Sequence, residues 1–199
     1  MDKPLDGKTL DLALRSLDIR LADNRAEPVE IVVCGGSALI LTGMVPRTTK
    51  DVDVVALIRA GKLLSPDPFP EELRKASVEV AEDLGISLGW LNNGPSKGEG
   101  GLFQMGFPAG FAERLRSRRY GDRLTVHFID RVDQIHFKLY AAADRGGYHI
   151  EDLHALNPSA EELEAAARWA MTHDVSEGFA MVLKRLLRSL GHESVADRL

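Results

Sequence analysis

Asp51 and Asp53 stand two residues apart at the head of a short apolar run, Val54-Val55-Ala56-Leu57-Ile58. Side chains alternate along a strand, so both carboxylates leave the same face, about 6 to 7 Å apart. At an effective dielectric near 20, two unpaired carboxylates at that spacing repel by a few kcal/mol. A fold that keeps them side by side therefore supplies a cation or a basic partner. Magnesium suits such a pair, because it takes oxygen ligands and is typically bound by one or two carboxylates together with substrate phosphates.

A second group precedes the doublet. The apolar run Ile31-Val32-Val33-Cys34 breaks on Gly35-Gly36-Ser37. Where a strand turns sharply into a helix, backbone N–H groups are left without intrahelical partners and can meet an anion. Glycines let a phosphate approach the backbone, and the Ser37 hydroxyl can donate to a phosphate oxygen. A dinucleotide-binding turn also pairs glycines with a later acid, but that acid closes its strand to reach a ribose. Asp51 and Asp53 open theirs, which weighs against that reading.

The elements that must hold these residues follow from periodicity. Leu10, Leu14, Leu17 and Leu21 predict an amphipathic helix over 9–22, followed by the 31–34 strand. A short helix over 38–41, capped by Ser37, ends near Gly43 and Pro46, and a second strand covers 51–58. Pro70, Glu71 and Glu72 open a helix that runs to Leu84. Seven glycines between Gly89 and Gly110 predict a long mobile loop or irregular hairpin. Residues 124–129 alternate as a strand, and helices are expected over 132–144, 150–156, 159–172 and 177–189. The fold class read from this order is α/β (α+β): a small mixed-sheet core over 1–131, then a helical C-terminal subdomain over 132–199.

Composition narrows the function classes. The 199 residues carry a formal net charge of -5, with 44% hydrophobic and 28% charged residues. That balance argues against a protein that coats nucleic acid by bulk electrostatics and leaves a local basic groove open. Arg114, Arg116, Arg118, Arg119 and Arg123 form the densest basic cluster, and a solvated helix end and turn is the expected form for it. No run approaches the ~20 apolar residues of a membrane span, and no apolar leader follows a basic start, so a cytoplasmic address without membrane contact is expected. The single cysteine, Cys34, cannot form an internal disulfide.

Taken together, Val33-Cys34-Gly35-Gly36-Ser37-Ala38 and Arg47-Thr48-Thr49-Lys50-Asp51-Val52-Asp53-Val54 resemble the signature of the DNA polymerase β-like nucleotidyltransferase superfamily. Arg47-x-Thr49 ahead of the doublet resembles its AbiEii-type branch, known from abortive-infection and toxin–antitoxin systems. That branch carries a lysine in a later helix and an aspartate beyond it. Gln134-Ile135-His136-Phe137-Lys138-Leu139 and Glu151-Asp152-Leu153 match that pattern, with Lys138 and Asp152 in the key positions.

The resemblance implies a nucleotidyltransferase core and magnesium-dependent transfer of a nucleoside monophosphate from a nucleoside triphosphate to an acceptor hydroxyl. The acceptor would be a tRNA end, a protein or a small molecule, and an antitoxin partner is implied as well. Asp51 and Asp53 would hold Mg2+. Gly35, Gly36 and Ser37, with Arg47 and Thr49, would hold the nucleotide. Lys138 would steady its phosphates, and Asp152 joins the catalytic set. The bland alternatives are a surface lysine with its stem along apolar neighbours at Lys138, a favourable first-turn acid at Asp152, and for Arg47 a simple pairing with the Asp51–Asp53 charge. One departure stands out: the superfamily usually draws a third carboxylate from a neighbouring strand, and here only Asp130, at a strand end, and His127 are near. The competing reading is a non-catalytic nucleotide-binding regulator or antitoxin-like partner on the same scaffold.

Overall fold

The computed structural model describes residues 4–199, which divide into two compact units, Met1–Ile129 and Asp130–Leu199. The first unit runs α1 (Gly7–Asp23), β1 (Val29–Cys34), α2 (Gly35–Leu41), β2 (Val52–Arg59), β3 (Lys62–Leu64), α3 (Glu71–Leu84), β4 (Leu91–Asn92), α4 (Leu102–Met105), β5 (Arg116–Arg119) and β6 (Leu124–Phe128). The second holds α5 (Arg131–Arg145), α6 (Tyr148–Leu156), α7 (Ala160–His173), α8 (Glu177–Ser189) and α9 (Glu193–Arg198). The six strands and nine α-helices among the described residues make a mixed α/β protein with a helical C-terminal region. No described helix is long and apolar enough to cross a membrane.

The sheet order is β3-β2-β1-β6-β5, with β4 pairing the start of β2. β1 runs parallel to β6 and β2 parallel to β4, while the remaining pairs are antiparallel. One face is packed by α1 and α3. Leu10, Leu14, Leu17 and Leu21 from α1 and Leu73, Ala76 and Val80 from α3 bury against Ile31, Val33, Val52, Val54, Leu124 and Val126. The leucine spacing that predicts α1 is thus the spacing that seals this face. Asp6 caps α1 by accepting the Thr9 N–H at 2.8 Å, and it starts the helix two residues before the predicted onset. Trp90 is fully buried and donates its indole N–H to the Ser77 carbonyl at 2.9 Å, tying the chain beyond α3 back to that helix.

Three expectations need correction. The arginine cluster is not a helix end: Arg116–Arg119 forms the edge strand β5, exposed along its length, because β6 offers it a ladder. The glycine-rich stretch, expected as a long mobile loop or irregular hairpin, holds short regular elements: β4, a 3-10 turn at Gly94–Ser96 and α4. Its ordering comes from tertiary contacts: β4 pairs with β2, and the buried Ser96 hydroxyl donates to the Val55 carbonyl at 2.7 Å. Ser37 does not cap α2, because the helix begins at Gly35, whose φ of 71° turns the strand directly into the helix.

In the second unit α5 packs on α6, α7 and α8. Phe137 stacks on Trp169 with ring centroids 5.6 Å apart, and Arg131 binds Glu162 and the carbonyl of Leu156. A capping box between Ser159 and Glu162 opens α7. The last helix, α9, falls outside the predicted elements.

Candidate active site

The placement of the carboxylates depends on one irregularity in the β1–β2 ladder. Val32 pairs with Ala56, but Val33 pairs with Val54, so Val55 is an extra residue on β2. Such a bulge exchanges the faces of the residues on either side of it. Leu57, beyond the bulge, packs on the helix-covered core. Unbroken alternation from Leu57 would carry Val55, Asp53 and Asp51 to that same side. With the bulge, Val52 and Val54 enter the core, fully buried, and Asp51 and Asp53 turn to the opposite face, where both are half-buried. An extra residue leaves its backbone polar groups outside the ladder, and Ser96 satisfies the Val55 carbonyl. Ser96 is the supporting residue that sequence reasoning misses, and a lone serine in a glycine-rich stretch gives no signal for it.

Asp53 pairs in register with Cys34, the residue before the glycine turn. The result is close approach: a Cβ placed on Gly35 would stand 2.9 Å from Asp53 Oδ2. A Cβ on Gly36 would stand 2.9 Å from both Thr49 Oγ1 and an Arg47 guanidinium nitrogen. The two glycines are bare because a carboxylate lies against one, and a guanidinium and a hydroxyl lie against the other. Thr49 Oγ1 reaches the Asp51 carbonyl at 3.4 Å, and Arg47 donates to the Thr48 carbonyl at 2.8 Å. Gly35, Gly36, Arg47, Thr49 and Asp53 therefore share one small neighbourhood, with Asp51 at its edge. Ser37 lies within α2, fully buried, and its hydroxyl faces the Cys34 carbonyl at 3.4 Å.

Among the described residues there is no group of three or more His, Cys, Asp or Glu placed to hold a metal ion. The donor set offered is the pair Asp51 and Asp53. Hard oxygen ligands in that number suit magnesium, which leaves its other positions to phosphates and water. His127 is held by Glu30 and Ser117, with 2.7 and 2.8 Å contacts. Asp130 caps α5 by accepting the Val132 N–H at 3.1 Å.

Lys138 and Asp152 lie in the helical unit and bind each other. Their Nζ to Oδ2 distance is 2.7 Å, with side chains only 5% and 2% exposed, and the Lys138 ammonium lies 5.5 Å from the Tyr148 ring centroid. Both bland readings fail here. Lys138 does not reach out to water, and Asp152 is the fifth residue of α6, buried, rather than a first-turn acid. Lys138 on α5 and Asp152 on α6 meet because the two helices pack as neighbours, with the Gly146-Gly147 break between them.

Comparison with curated proteins gives no match, and comparison with solved structures gives none either. Comparison with protein families gives one over residues 12–65. That stretch runs from α1 to the end of β3 and contains Gly35, Gly36, Ser37, Arg47, Thr49, Asp51 and Asp53, while Lys138 and Asp152 lie outside it. Over those residues, less than half of its length, the chain is similar to a family described as a nucleotidyltransferase of unknown function (DUF6036), which supports a nucleotidyltransferase relationship and nothing narrower.

Proposed function

We propose that this protein is a magnesium-dependent nucleotidyltransferase of the AbiEii type, which transfers a nucleoside monophosphate from a nucleoside triphosphate to an acceptor hydroxyl. The observation that carries the reading is the Asp53 carboxylate lying against a bare Gly35 while Arg47 and Thr49 lie against a bare Gly36. A carboxylate and a guanidinium on adjacent glycines serve a ligand that brings both a cation and an anion, as a metal–triphosphate does. In this reading Asp51 and Asp53 hold Mg2+, and Gly35, Gly36, Arg47 and Thr49 hold the triphosphate, with Ser37 buried behind the turn.

Phosphoryl chemistry asks a protein mainly for position and charge. The acceptor oxygen bonds to the α-phosphorus as the bond to the departing pyrophosphate breaks. Bound magnesium would neutralise the charge that builds on the phosphate oxygens. Arg47 contributes fixed positive charge on the other side of the glycine pair. Candidate acceptors are a tRNA end, a protein such as an antitoxin partner, and a small molecule.

The test is incubation with α-labelled nucleoside triphosphates, Mg2+ and total tRNA or cell protein, comparing wild type with Asp53→Ala. Transfer of label that is lost in the variant supports the enzyme. The two-carboxylate donor set favours a second reading, a nucleotide-binding regulator. Triphosphate binding that depends on Asp53, with no label transferred to any acceptor, would select it.

A further inference from the structure

His127 lies within β6 on the face opposite the helix-packed core, only 9% exposed. Its Nε2 is 2.7 Å from Glu30 Oε2, and its Nδ1 is 2.8 Å from Ser117 Oγ. A carboxylate has no hydrogen to give, so Nε2 carries the proton. In the neutral ring Nδ1 then holds the lone pair, and the Ser117 hydroxyl donates to it. The three side chains come from β1, β6 and β5, three neighbouring strands, so the backbone ladders fix their spacing. Groups built on strands keep their geometry better than groups on loops.

All three line one cavity of about 310 Å3, whose other walls include Ile58, Leu63, Ala112 and Leu115. Its polar end is the hydrogen-bonded chain, and its remaining surface is largely aliphatic. Ser117 is exposed and open to a ligand. It also keeps its own N–H. The Tyr120 N–H bonds to the Leu124 carbonyl, so in this antiparallel ladder the bonded pairs alternate onward to Arg118 with Val126. Ser117 falls between bonded pairs on the edge strand, with its N–H turned outward. None of these groups takes part in the nucleotide reading.

We propose that Ser117 is the nucleophile of a second reactive centre, with His127 as its base and Glu30 as a positioning residue, acting on short-chain carboxylic esters. The Ser117 oxygen bonds to the ester carbonyl carbon while its proton passes to His127 Nδ1. The carbon–alkoxy bond then breaks, and the leaving alkoxide takes the proton from the imidazolium. Water, deprotonated in turn by His127, releases the carboxylic acid and restores the serine. The outward N–H of Ser117 is a donor for the oxygen that becomes negative in between. Glu30 fixes the ring tautomer and faces the imidazolium charge.

The test treats the full chain with p-nitrophenyl butyrate and, separately, a fluorophosphonate, and locates adducts by peptide mass mapping. An adduct on Ser117 is expected in wild type and equally in Asp53→Ala, so the result is independent of the nucleotidyl-transfer reading. Ser117→Ala, folded by circular dichroism, should lose it. His127→Gln should slow its formation about 100-fold or more. Glu30→Asp, which retains a carboxylate, should react faster than Glu30→Ala. Absence of a Ser117 adduct in wild type overturns the proposal, as does an adduct whose rate ignores His127.

Discussion

Gly35→Ala offers a direct test of the contact on which the nucleotide reading rests, and it needs no knowledge of the acceptor. Gly35 has a φ of 71°, and an alanine there would place its Cβ 2.9 Å from Asp53 Oδ2. Gly43 has a φ of 75°, but a Cβ there meets nothing within 4 Å. The backbone cost of a left-handed alanine, roughly 1–2 kcal/mol, is therefore common to both substitutions. Only Gly35→Ala adds the contact, at a distance real Cβ atoms essentially never show, and because the atom met is the far end of the Asp53 side chain the added cost is that of turning the carboxylate aside, about 0.5–1.5 kcal/mol. Thermal melting should place Gly35→Ala below Gly43→Ala by about 1 °C or more at this chain length.

A double-mutant cycle isolates the cause. In an Asp53→Ala background the nearest remaining Asp53 atom is Cβ, at 3.9 Å, which is ordinary contact. The excess cost of Gly35→Ala should then disappear, leaving only the strain shared with Gly43→Ala. Equal costs for the two glycine substitutions, or an excess that survives removal of the Asp53 carboxylate, would show that the carboxylate does not lie against Gly35. Where transfer activity is found, Gly35→Ala should lower it by about 100-fold, since misplacing a catalytic group by about 1 Å can have that effect. Gly43→Ala should leave it near wild type.

Further outcomes follow from other contacts. Ser96→Ala leaves the buried Val55 carbonyl without its 2.7 Å donor and should cost about 1–3 kcal/mol in denaturant unfolding. Lys138→Met strands a buried carboxylate, with an expected loss of about 3–5 kcal/mol, and adding Asp152→Leu should restore much of the stability. A Lys138→Met protein as stable as wild type would show that the pair is not buried as described. The Glu162 carboxyl is held below its ordinary value of 4.5, first by the Arg131 guanidinium and then by the Ser159 N–H, against the opposing effect of burial. A depressed folded-state value means that its stabilisation is present above the ordinary value and fades as pH falls through the folded one. The gap in melting temperature between wild type and Glu162→Gln should therefore close on acidification below about pH 4.5, and a gap that widens there contradicts the assignment.

The elements with an apolar rhythm were legible from residue types. The leucines of α1, the valines of β2 and the capped helices of the second unit each announce the surface they bury. β5 was hidden because Arg-Ser-Arg-Arg has no apolar face: it is a strand only because β6 pairs with it. β3 was hidden by its length, three residues after the Ala60-Gly61 turn. At the site, the types and spacing of Asp51, Asp53, Gly35 and Gly36 were enough to suggest the chemistry. Their face was not readable, since alternation counted from Leu57 points the carboxylates into the core, and only the ladder shows the extra residue that reverses the count. The Lys138–Asp152 bond was equally invisible, because it joins two helices rather than two positions on one.

The clamp of Ser96 on Val55 changes how the glycine-rich segment should be treated by anyone engineering this protein. Trimming residues 93–106 to make a tidier scaffold, a routine economy with loops, would remove the peg that holds β2 out of step with itself. The strand could then slip by a single position into regular pleating, and its acidic side chains would rotate toward the hydrocarbon interior. A cut made well away from both aspartates would thus disarm them as surely as replacing either one.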